Sequence, residues 1–245
     1  MESKLPFDPI ERAKEVEKLV LSGERRKYYR FRATGFYGGI ATADAVGCSF
    51  LCAYCWNLGR HLEPQNCGHF YSPEEVVEIL LSLSKPRGLN QVRISGAEPI
   101  LGPKAVIHLI KILEIMEKKA PMMRFILETN GLLFGFDSTF AQEIAHFKNL
   151  IVRVSLKAVE AKKFEKITGA KGDFVIYPLR SLINLQTVGV RCWPAIMAEF
   201  FTKEEKERLS NFLKLNRIKM DIEEEELLLY PLVEANLNKR GFLND

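Results

Sequence analysis

Three closely spaced cysteines are the residues of this chain best suited to chemistry. Cys48, Cys52 and Cys55 follow the spacing C-x-x-x-C-x-x-C within one short segment. Cysteine thiolates at such intervals can hold the irons of an iron–sulfur cluster. Three thiolates leave one iron of such a cluster without a protein sulfur, and an open ligand position is where a substrate or cofactor binds to a metal. The spacing therefore predicts a metal site with catalytic potential.

Other metal sites are also compatible with these cysteines. A structural zinc ion could take Cys67, His61 or His69 as its fourth ligand, and an electron-transfer cluster could take Cys67. The spacing alone therefore leaves two classes of protein open. One is an enzyme with a catalytic cluster, and the other is a non-catalytic iron–sulfur or zinc module that serves another protein.

Composition is that of a globular protein, with 47% apolar and 27% charged residues in 245. The amphipathic start, Met1 to Leu21, lacks the apolar core of a signal peptide, and no apolar run reaches the ~18 residues of a membrane span. These features predict a cytoplasmic protein. In that compartment five cysteines favour metal or redox chemistry over disulfides.

Charge gives no sign of a polyanionic partner, because the net charge of +4 is spread over both halves. The basic stretch Arg25 to Arg32 is predicted to be a solvated face. The acidic segment Asp221 to Leu229 is predicted to be another, with closure of a barrel edge or a lid as the alternative.

The chain alternates short β-rich runs with amphipathic helices, which indicates parallel βαβ units. The predicted strands are Gly39–Ala45, Gln91–Ser95, Arg124–Glu128, Leu150–Leu156, Val190–Met197 and Ile218–Ile222. The predicted helices after the first are 72–83, 103–118, 138–146, 159–167, 177–188 and 203–215, the first of these with a capping box from Ser72 to Glu75. About six strands are too few for a complete eight-stranded barrel. We therefore predict one α/β domain, a partial (β/α)6 TIM-like barrel, over residues 36–245, preceded by a helical extension over residues 1–35.

Polar residues follow the predicted strands at their carboxyl ends. The cysteine segment follows the first strand, Gly96 to Pro99 the second and Thr129 to Gly131 the third, while Ser155 to Lys157 ends the fourth. In parallel α/β folds these ends meet at one edge of the sheet, where ligands bind. The sequence therefore predicts one site built from all four segments.

The cysteine segment resembles the cluster motif of the radical S-adenosylmethionine (SAM) superfamily. Within that superfamily Tyr54-Cys55-Trp56-Asn57 resembles the Tyr-Cys-His-Asn of glycyl-radical (pyruvate formate-lyase) activating enzymes. Ser95 to Pro99 is similar to the family's Gly-Gly-Glu-Pro stretch, with Ala97 in place of the second glycine. Glu128 to Gly131 is similar to its Thr-Asn-Gly turn, and Val154 to Lys157 to the Asp-Leu-Lys of activating enzymes, with Ser155 in place of aspartate.

This resemblance assigns roles to particular residues. It implies that Cys48, Cys52 and Cys55 hold a [4Fe–4S] cluster and that Tyr54 packs near the adenine of SAM. It further implies that the backbone and carboxylate of the Gly96 turn meet the amino group, the Thr129 turn the ribose, and Lys157 the carboxylate. The complete set of implied cofactor contacts is Tyr54, Gly96, Ala97, Glu98, Pro99, Thr129, Asn130, Ser155, Lys157 and Met197.

The resemblance also implies a reaction. The reduced cluster passes one electron to SAM, and the 5′-deoxyadenosyl radical that results removes hydrogen from a substrate. An external electron donor such as ferredoxin or flavodoxin is implied as a partner. The substrate is a glycyl-radical protein in the activating enzymes, but Trp56 and Ser155 depart from their pattern, and a small metabolite or an RNA nucleoside is the alternative.

Overall fold

A curved sheet forms the centre of the computed structural model, which describes residues 4–218 and 220–243. Its strands are β1 Leu21–Ser22, β2 Arg25–Thr34, β3 Ile40–Ala45, β4 His69–Tyr71, β5 Gln91–Ser95, β6 Arg124–Thr129, β7 Leu150–Leu156, β8 Arg191–Met197 and β9 Glu223–Glu225. Their order is β1-β2-β3-β5-β6-β7-β8-β9, with β4 paired to β2. From β3 to β9 all neighbours on this path are parallel. The predicted α/β fold with a partly open parallel sheet is thus confirmed.

Helices follow most of the parallel strands. They are α1 Pro9–Val20, α2 Leu58–Leu62, α3 Pro73–Ser84, α4 Pro103–Lys119, α5 Leu132–Phe136, α6 Thr139–Glu143, α7 Ala161–Thr168, α8 Ile176–Thr187, α9 Lys203–Leu215 and α10 Pro231–Lys239. The predicted capping box is present at α3, where Ser72 and Glu75 bond each other's backbone amides. None of the helices in the described ranges is long and apolar enough to cross a membrane.

Strand residues alternate between an apolar outer face and a polar inner face. On β7 the buried Val152 and Val154 join the core shared with the helices, whereas Arg153 and Ser155 lie on the other side and bond each other. The same alternation places Arg93 and Ser95 of β5 on the concave side, since both contact Glu128 of β6. The interior of the partial barrel is therefore charged.

The expected helical extension over residues 1–35 is wrong in its second half. Residues 25–34 form β2, which pairs antiparallel with β3. A bulge between Tyr28 and Arg30 leaves Tyr28 and Phe31 on the core side and turns Arg30 and Arg32 toward Asp44 of β3. The basic stretch is thus part of the sheet and not a solvated face.

The acidic segment is also part of the sheet. Glu223 to Glu225 form β9 and pair in parallel with β8. This strand begins later than the predicted Ile218–Ile222, a range that includes Lys219, which lies outside the described residues. Closure of the barrel edge, the alternative considered for this segment, is therefore what the pairing shows. Residues 1–3 and 244–245 of the two predicted domains also lie outside the described part of the chain.

Candidate active site

The cysteine loop between β3 and α2 is fixed by backbone contacts on several sides. Arg12 of α1 donates to the carbonyl oxygen of Cys48 at 3.3 Å. The amides of Leu51 and Ala53 donate to the carbonyl oxygens of Thr168 and Ile167 at 2.9 and 2.8 Å. Because a loop without regular structure must find partners for its own backbone groups, these bonds determine where the loop lies.

A glycine lets helix α1 approach the start of this loop. Gly47 has φ +92°, and a Cβ there would lie 2.6 Å from Cγ1 of Val16 on α1. Both the backbone angle and the contact exclude other residues at this position. The cysteines therefore begin where β3 ends against α1.

The three thiols share one loop and one electrostatic environment. Burial, the largest cause, raises the pKa of each thiol, to about 12 for Cys55. Within the described residues no three Cys, His, Asp or Glu side chains are already gathered around a common centre. The donor set nevertheless fits a [4Fe–4S] cluster in its chemistry, because cysteine thiolates are the ligands of such clusters and a bound metal deprotonates the thiols that coordinate it.

Glu98 ties three segments together below the loop. Its carboxylate accepts from the amide of Ile100 at 2.9 Å, from Oγ1 of Thr129 at 2.7 Å and from the amide of Asn130 at 2.7 Å. Its own amide donates to the carbonyl oxygen of Gly47 at 3.0 Å. Burial raises the pKa of Glu98 to about 7 in spite of the three donors. The carboxylate thus accepts three hydrogen bonds from the chain itself, and its contact with the amino group of SAM stays a prediction.

Pro99 has a similar structural task. Its carbonyl oxygen, together with that of Glu98, accepts from the buried guanidinium of Arg26 at 2.6 and 2.7 Å. These bonds fix the turn after β5 from the side of β2. They explain why Arg26, within the stretch expected to be solvated, is only 1% exposed.

Asn130 connects the end of β6 to the first cysteine. Its side-chain nitrogen donates to Oγ of Ser49 at 2.9 Å and lies 3.9 Å from Sγ of Cys48, while its Oδ1 accepts from the amide of Leu132 at 2.9 Å. The side chain is 6% exposed. The Asn130 side chain thus contacts the cysteine loop, and its contact with the ribose of SAM stays a prediction.

Gly96 is the turn residue after β5 and approaches the cysteine loop closely. Its carbonyl oxygen accepts from the side chain of Asn57 at 2.6 Å. With φ +79°, a Cβ on Gly96 would lie 3.1 Å from Cβ of Asp44. Asn57, the last residue of the Tyr54 to Asn57 string, is 1% exposed. The structure makes it the link between the cysteine loop and the turn.

Lys157 and Tyr54 lie together at the end of β7. The Lys157 ammonium is 5.6 Å from the centroid of the Tyr54 ring, and that ring lies 4.9 Å from the ring of Phe200. Burial alone would lower the pKa of Lys157, but the nearby Tyr54, Cys52 and Glu225 outweigh it and raise the pKa. Lys157 is thus a half-buried, charged ammonium next to the cysteine loop.

The other candidates occupy the rim of the interior. Ala97 and Met197 are half-buried, at the ends of β5 and β8. Ser155 accepts from Arg153 at 3.0 Å, and Arg153 in turn pairs with Glu223 and Glu225. Sequence reasoning missed these charged partners, although their alternation with apolar residues on β7 was a signal for them.

The two remaining cysteines lie apart from the loop. Cys192 is 4% exposed on β8, with its thiol 3.7 Å from the carbonyl oxygen of Leu182. Cys67 is half-buried and packs beside the smaller core cluster of α1. Cys192 is thus a buried residue of the core.

Comparison with known proteins identifies a family. The sequence model of the radical SAM superfamily matches residues 44–213, which hold the cysteine loop and the three later segments. Among curated proteins, a probable GTP 3′,8-cyclase of Saccharolobus islandicus is 24% identical over 196 residues, which are 80% of this chain and 57% of that protein. This chain thus spans just over half the length of such relatives.

Solved structures share the fold. The crystal structure of Streptococcus suis SuiB bound to S-adenosylmethionine aligns with a TM-score of 0.59 at 18% identity and covers 76% of this chain and 39% of SuiB. A spore photoproduct lyase with bound AdoMet and a dinucleoside spore photoproduct aligns with a TM-score of 0.57 at 13% identity, over 80% of this chain and 58% of the lyase. At these identities the likeness concerns the arrangement of the sheet and its helices.

Proposed function

The chain belongs to the radical SAM superfamily, and on this premise we propose that its cysteine loop and the ends of β5, β6 and β7 form the site of SAM cleavage. Members of the superfamily are enzymes that use a [4Fe–4S] cluster and SAM. The predictions of an enzyme and of these two cofactors are thereby confirmed. The non-catalytic module considered from the spacing is set aside, whereas the residue roles below are our proposal.

One observation carries the assignment of the site. Each of the three later segments contacts the cysteine loop directly: Gly96 through Asn57, Asn130 through Ser49, and Lys157 through Tyr54. A loop that only held a structural metal would have no need of three further strand ends. Their convergence supports a cofactor that touches all of them at once.

Within this site the chain binds and orients. Cys48, Cys52 and Cys55 would hold the cluster, whose reduced form supplies the electron that cleaves SAM to methionine and a 5′-deoxyadenosyl radical. Lys157 would pair with the methionine carboxylate, and Tyr54 would pack against the adenine. Glu98, Thr129 and Asn130 act one step away, because their hydrogen bonds keep the loops in register.

The interior of the barrel is where hydrogen would be removed from the substrate. Tyr37 lies at the end of the interior where the parallel strands begin: its ring meets that of Trp193 edge-on at 6.2 Å, and its hydroxyl donates to Glu128 at 3.2 Å. The substrate would enter from the other end, at the carboxyl ends of the strands, where the cysteine loop lies.

Two more specific functions differ in the molecule that enters the barrel interior. Activation of a glycyl-radical protein, suggested by the Tyr54 to Asn57 string, requires a loop of a partner protein in the interior. A small polar molecule or nucleoside is supported by the charged lining of Arg93, Glu128 and Arg153. Relatives named as GTP 3′,8-cyclases support a small molecule over a protein loop, but not a particular small molecule. We favour the small polar molecule, because a buried charged lining is costly unless it serves recognition.

A reductant is a requirement of this superfamily. We propose an external ferredoxin or flavodoxin as the donor, and the cytoplasmic location stays a prediction that agrees with such a partner.

The decisive experiment is anaerobic reconstitution followed by reduction with dithionite in the presence of SAM. We expect slow formation of 5′-deoxyadenosine and methionine without any substrate, and none from Cys55→Ala prepared in parallel. A reconstituted wild-type protein that binds iron yet forms no 5′-deoxyadenosine would refute the proposal.

A further inference from the structure

Two arginines share one buried carboxylate at the β2 side of the barrel. Asp44 of β3 has a fully buried side chain and accepts from Nε of Arg30 at 2.7 Å and from Nε of Arg32 at 2.8 Å. The arginine side chains are 42% and 28% exposed. One carboxylate balances one guanidinium, so this edge of the interior carries one surplus positive charge.

The opposite arrangement exists at the β9 side. Arg153 of β7 is 4% exposed and pairs with Glu223 at 3.1 Å and with Glu225 at 2.9 Å. The two glutamates are 32% and 44% exposed, and Glu223 also accepts from the indole nitrogen of Trp193 at 2.5 Å. One guanidinium balances one carboxylate, so this edge carries one surplus negative charge. We name Arg30 and Arg32 the basic edge, and Glu223 and Glu225 the acidic edge.

Both edges face the same interior. Arg30 lies opposite Asp44 in the register of β2 and β3, and Glu225 lies opposite Met197 in that of β8 and β9. These positions are at the level of the candidate SAM contacts. The lining between the edges is balanced, since Arg93 pairs with Glu128 at 2.6 Å and both are largely buried.

Lys157 lies close enough to the acidic edge for the charge of Glu225 to raise its pKa, but among the described residues the two form no ion pair, and the ammonium lies over the Tyr54 ring. In the proposed function its ammonium also takes the carboxylate of SAM, which leaves the balance at the acidic edge unchanged.

From these charges we propose that the interior binds a zwitterionic substrate. Its anionic group contacts the basic edge and its cationic group contacts the acidic edge. This rests on the proposed function and names the substrate class of the same site. A purely anionic molecule, such as a nucleotide, would meet uncompensated carboxylates at the acidic edge, and this repulsion selects against it.

The surplus charges allow variants that keep each buried ion paired. Arg32→Gln leaves Arg30 on Asp44, and Glu225→Gln leaves Glu223 on Arg153. Glu224→Gln is the matched control, because Glu224 lies on the same strand but pairs with Lys206 of α9 on the outer side. None of the three substitutions leaves a buried charge without a partner.

The test measures charge selectivity in the reconstituted enzyme with SAM bound. The probes are a series of linear ω-amino acids together with the alkanoate and the alkylamine of each chain length, and binding is followed by saturation-transfer NMR titration. At the best chain length we expect the ω-amino acid to bind about tenfold or more tightly than either analogue, as one further charge-assisted hydrogen bond provides.

The variants should separate the two edges. Arg32→Gln should weaken binding of the ω-amino acid and the alkanoate but not of the alkylamine. Glu225→Gln should weaken binding of the ω-amino acid and the alkylamine but not of the alkanoate. Glu224→Gln should change the binding of none of the three. Equal binding of zwitterion and analogues at every chain length would overturn the inference, as would tighter binding of GTP than of any ω-amino acid. SAM cleavage by the wild-type protein without a probe tests the proposed function separately, so the two failures are distinguishable.

Discussion

The carboxylate of Glu98 accepts the backbone amide of Asn130 at 2.7 Å and thereby joins the turn after β5 to the turn after β6. The same carboxylate holds the amide of Ile100, and the residue's own amide holds Gly47 at the start of the cysteine loop. A single buried side chain thus sets the spacing of three segments of the site. Glu98 thereby holds these turns in position for a cofactor.

Glu98→Gln should lower stability and SAM affinity together. Glutamine offers one oxygen, so one of the buried amides of Ile100 and Asn130 loses its acceptor and faces an NH₂ group instead. An unsatisfied buried donor costs about 1–3 kcal/mol. Urea unfolding and SAM titration measure the two effects, with Glu114→Gln on the exposed face of α4 as the control. A variant as stable as the wild type would show that the turns hold without this carboxylate.

Local signals in the sequence predict much of the sheet but not its edges. The central strands and the α3 capping box depend on nearby residues, and their predicted bounds are close to the observed ones. The basic stretch was misjudged because its partners are distant along the chain. Arg26 donates to the carbonyl oxygens of Glu98 and Pro99, and Arg30 donates to Asp44. The sequence indicates that a charged residue needs a partner, but it does not indicate which residue that partner is.

The candidate site, like the sheet, was predictable from the sequence only in part. The order of strands places its segments at one edge of the sheet, so their proximity was predictable. The contact between Asn57 and Gly96, and the use of Glu98 by the chain itself, depend on side-chain packing across three loops. No local pattern encodes such contacts, since each partner belongs to a different βα unit.

The three loop cysteines should differ from Cys67 in metal content. We expect the anaerobically prepared wild type to be brown and to bind about four irons per chain. Cys48→Ala, Cys52→Ala and Cys55→Ala should each lose the cluster and SAM cleavage, whereas Cys67→Ala should keep both, because Cys67 packs against the α1 cluster. Iron analysis and visible absorption measure this. Loss of iron in Cys67→Ala would point to a four-thiolate electron carrier, and a colourless protein with stoichiometric zinc would contradict the cluster.

His108 should make the protein sensitive to mild acid. Its Nδ1 lies 2.7 Å from the carbonyl oxygen of Glu24, which can only accept, so Nε2 takes the hydroxyl proton of Tyr28 at 3.0 Å. Burial lowers the pKa of His108 to about 4. Because the folded pKa lies below the unfolded value, this stability is present above about pH 6.5 and is lost as the pH falls toward 4.

The loss at His108 should be on the order of 2 kcal/mol between about pH 7.5 and about pH 5. In His108→Gln, which can still donate to Glu24 and accept from Tyr28, most of it should disappear. Urea unfolding at both pH values measures the difference, with the exposed His69→Gln as the control. An equal loss in wild type and His108→Gln would mean that His108 is not the titrating group.

Lys157→Ala should weaken SAM binding while the cluster stays intact. If the ammonium pairs with the methionine carboxylate, its removal costs the ~1.5–3 kcal/mol of a charge-assisted hydrogen bond, or roughly tenfold or more in affinity. An exposed ion pair contributes at most about 1 kcal/mol, so Lys206→Ala, which breaks a pair with Glu224, is the matched control. Titration of each variant with SAM distinguishes a pair with the methionine carboxylate from an exposed ion pair. If Lys157→Ala bound SAM as tightly as the wild type, the ammonium would serve only the Tyr54 ring, and the alignment of β7 with the activating enzymes would lose its main support.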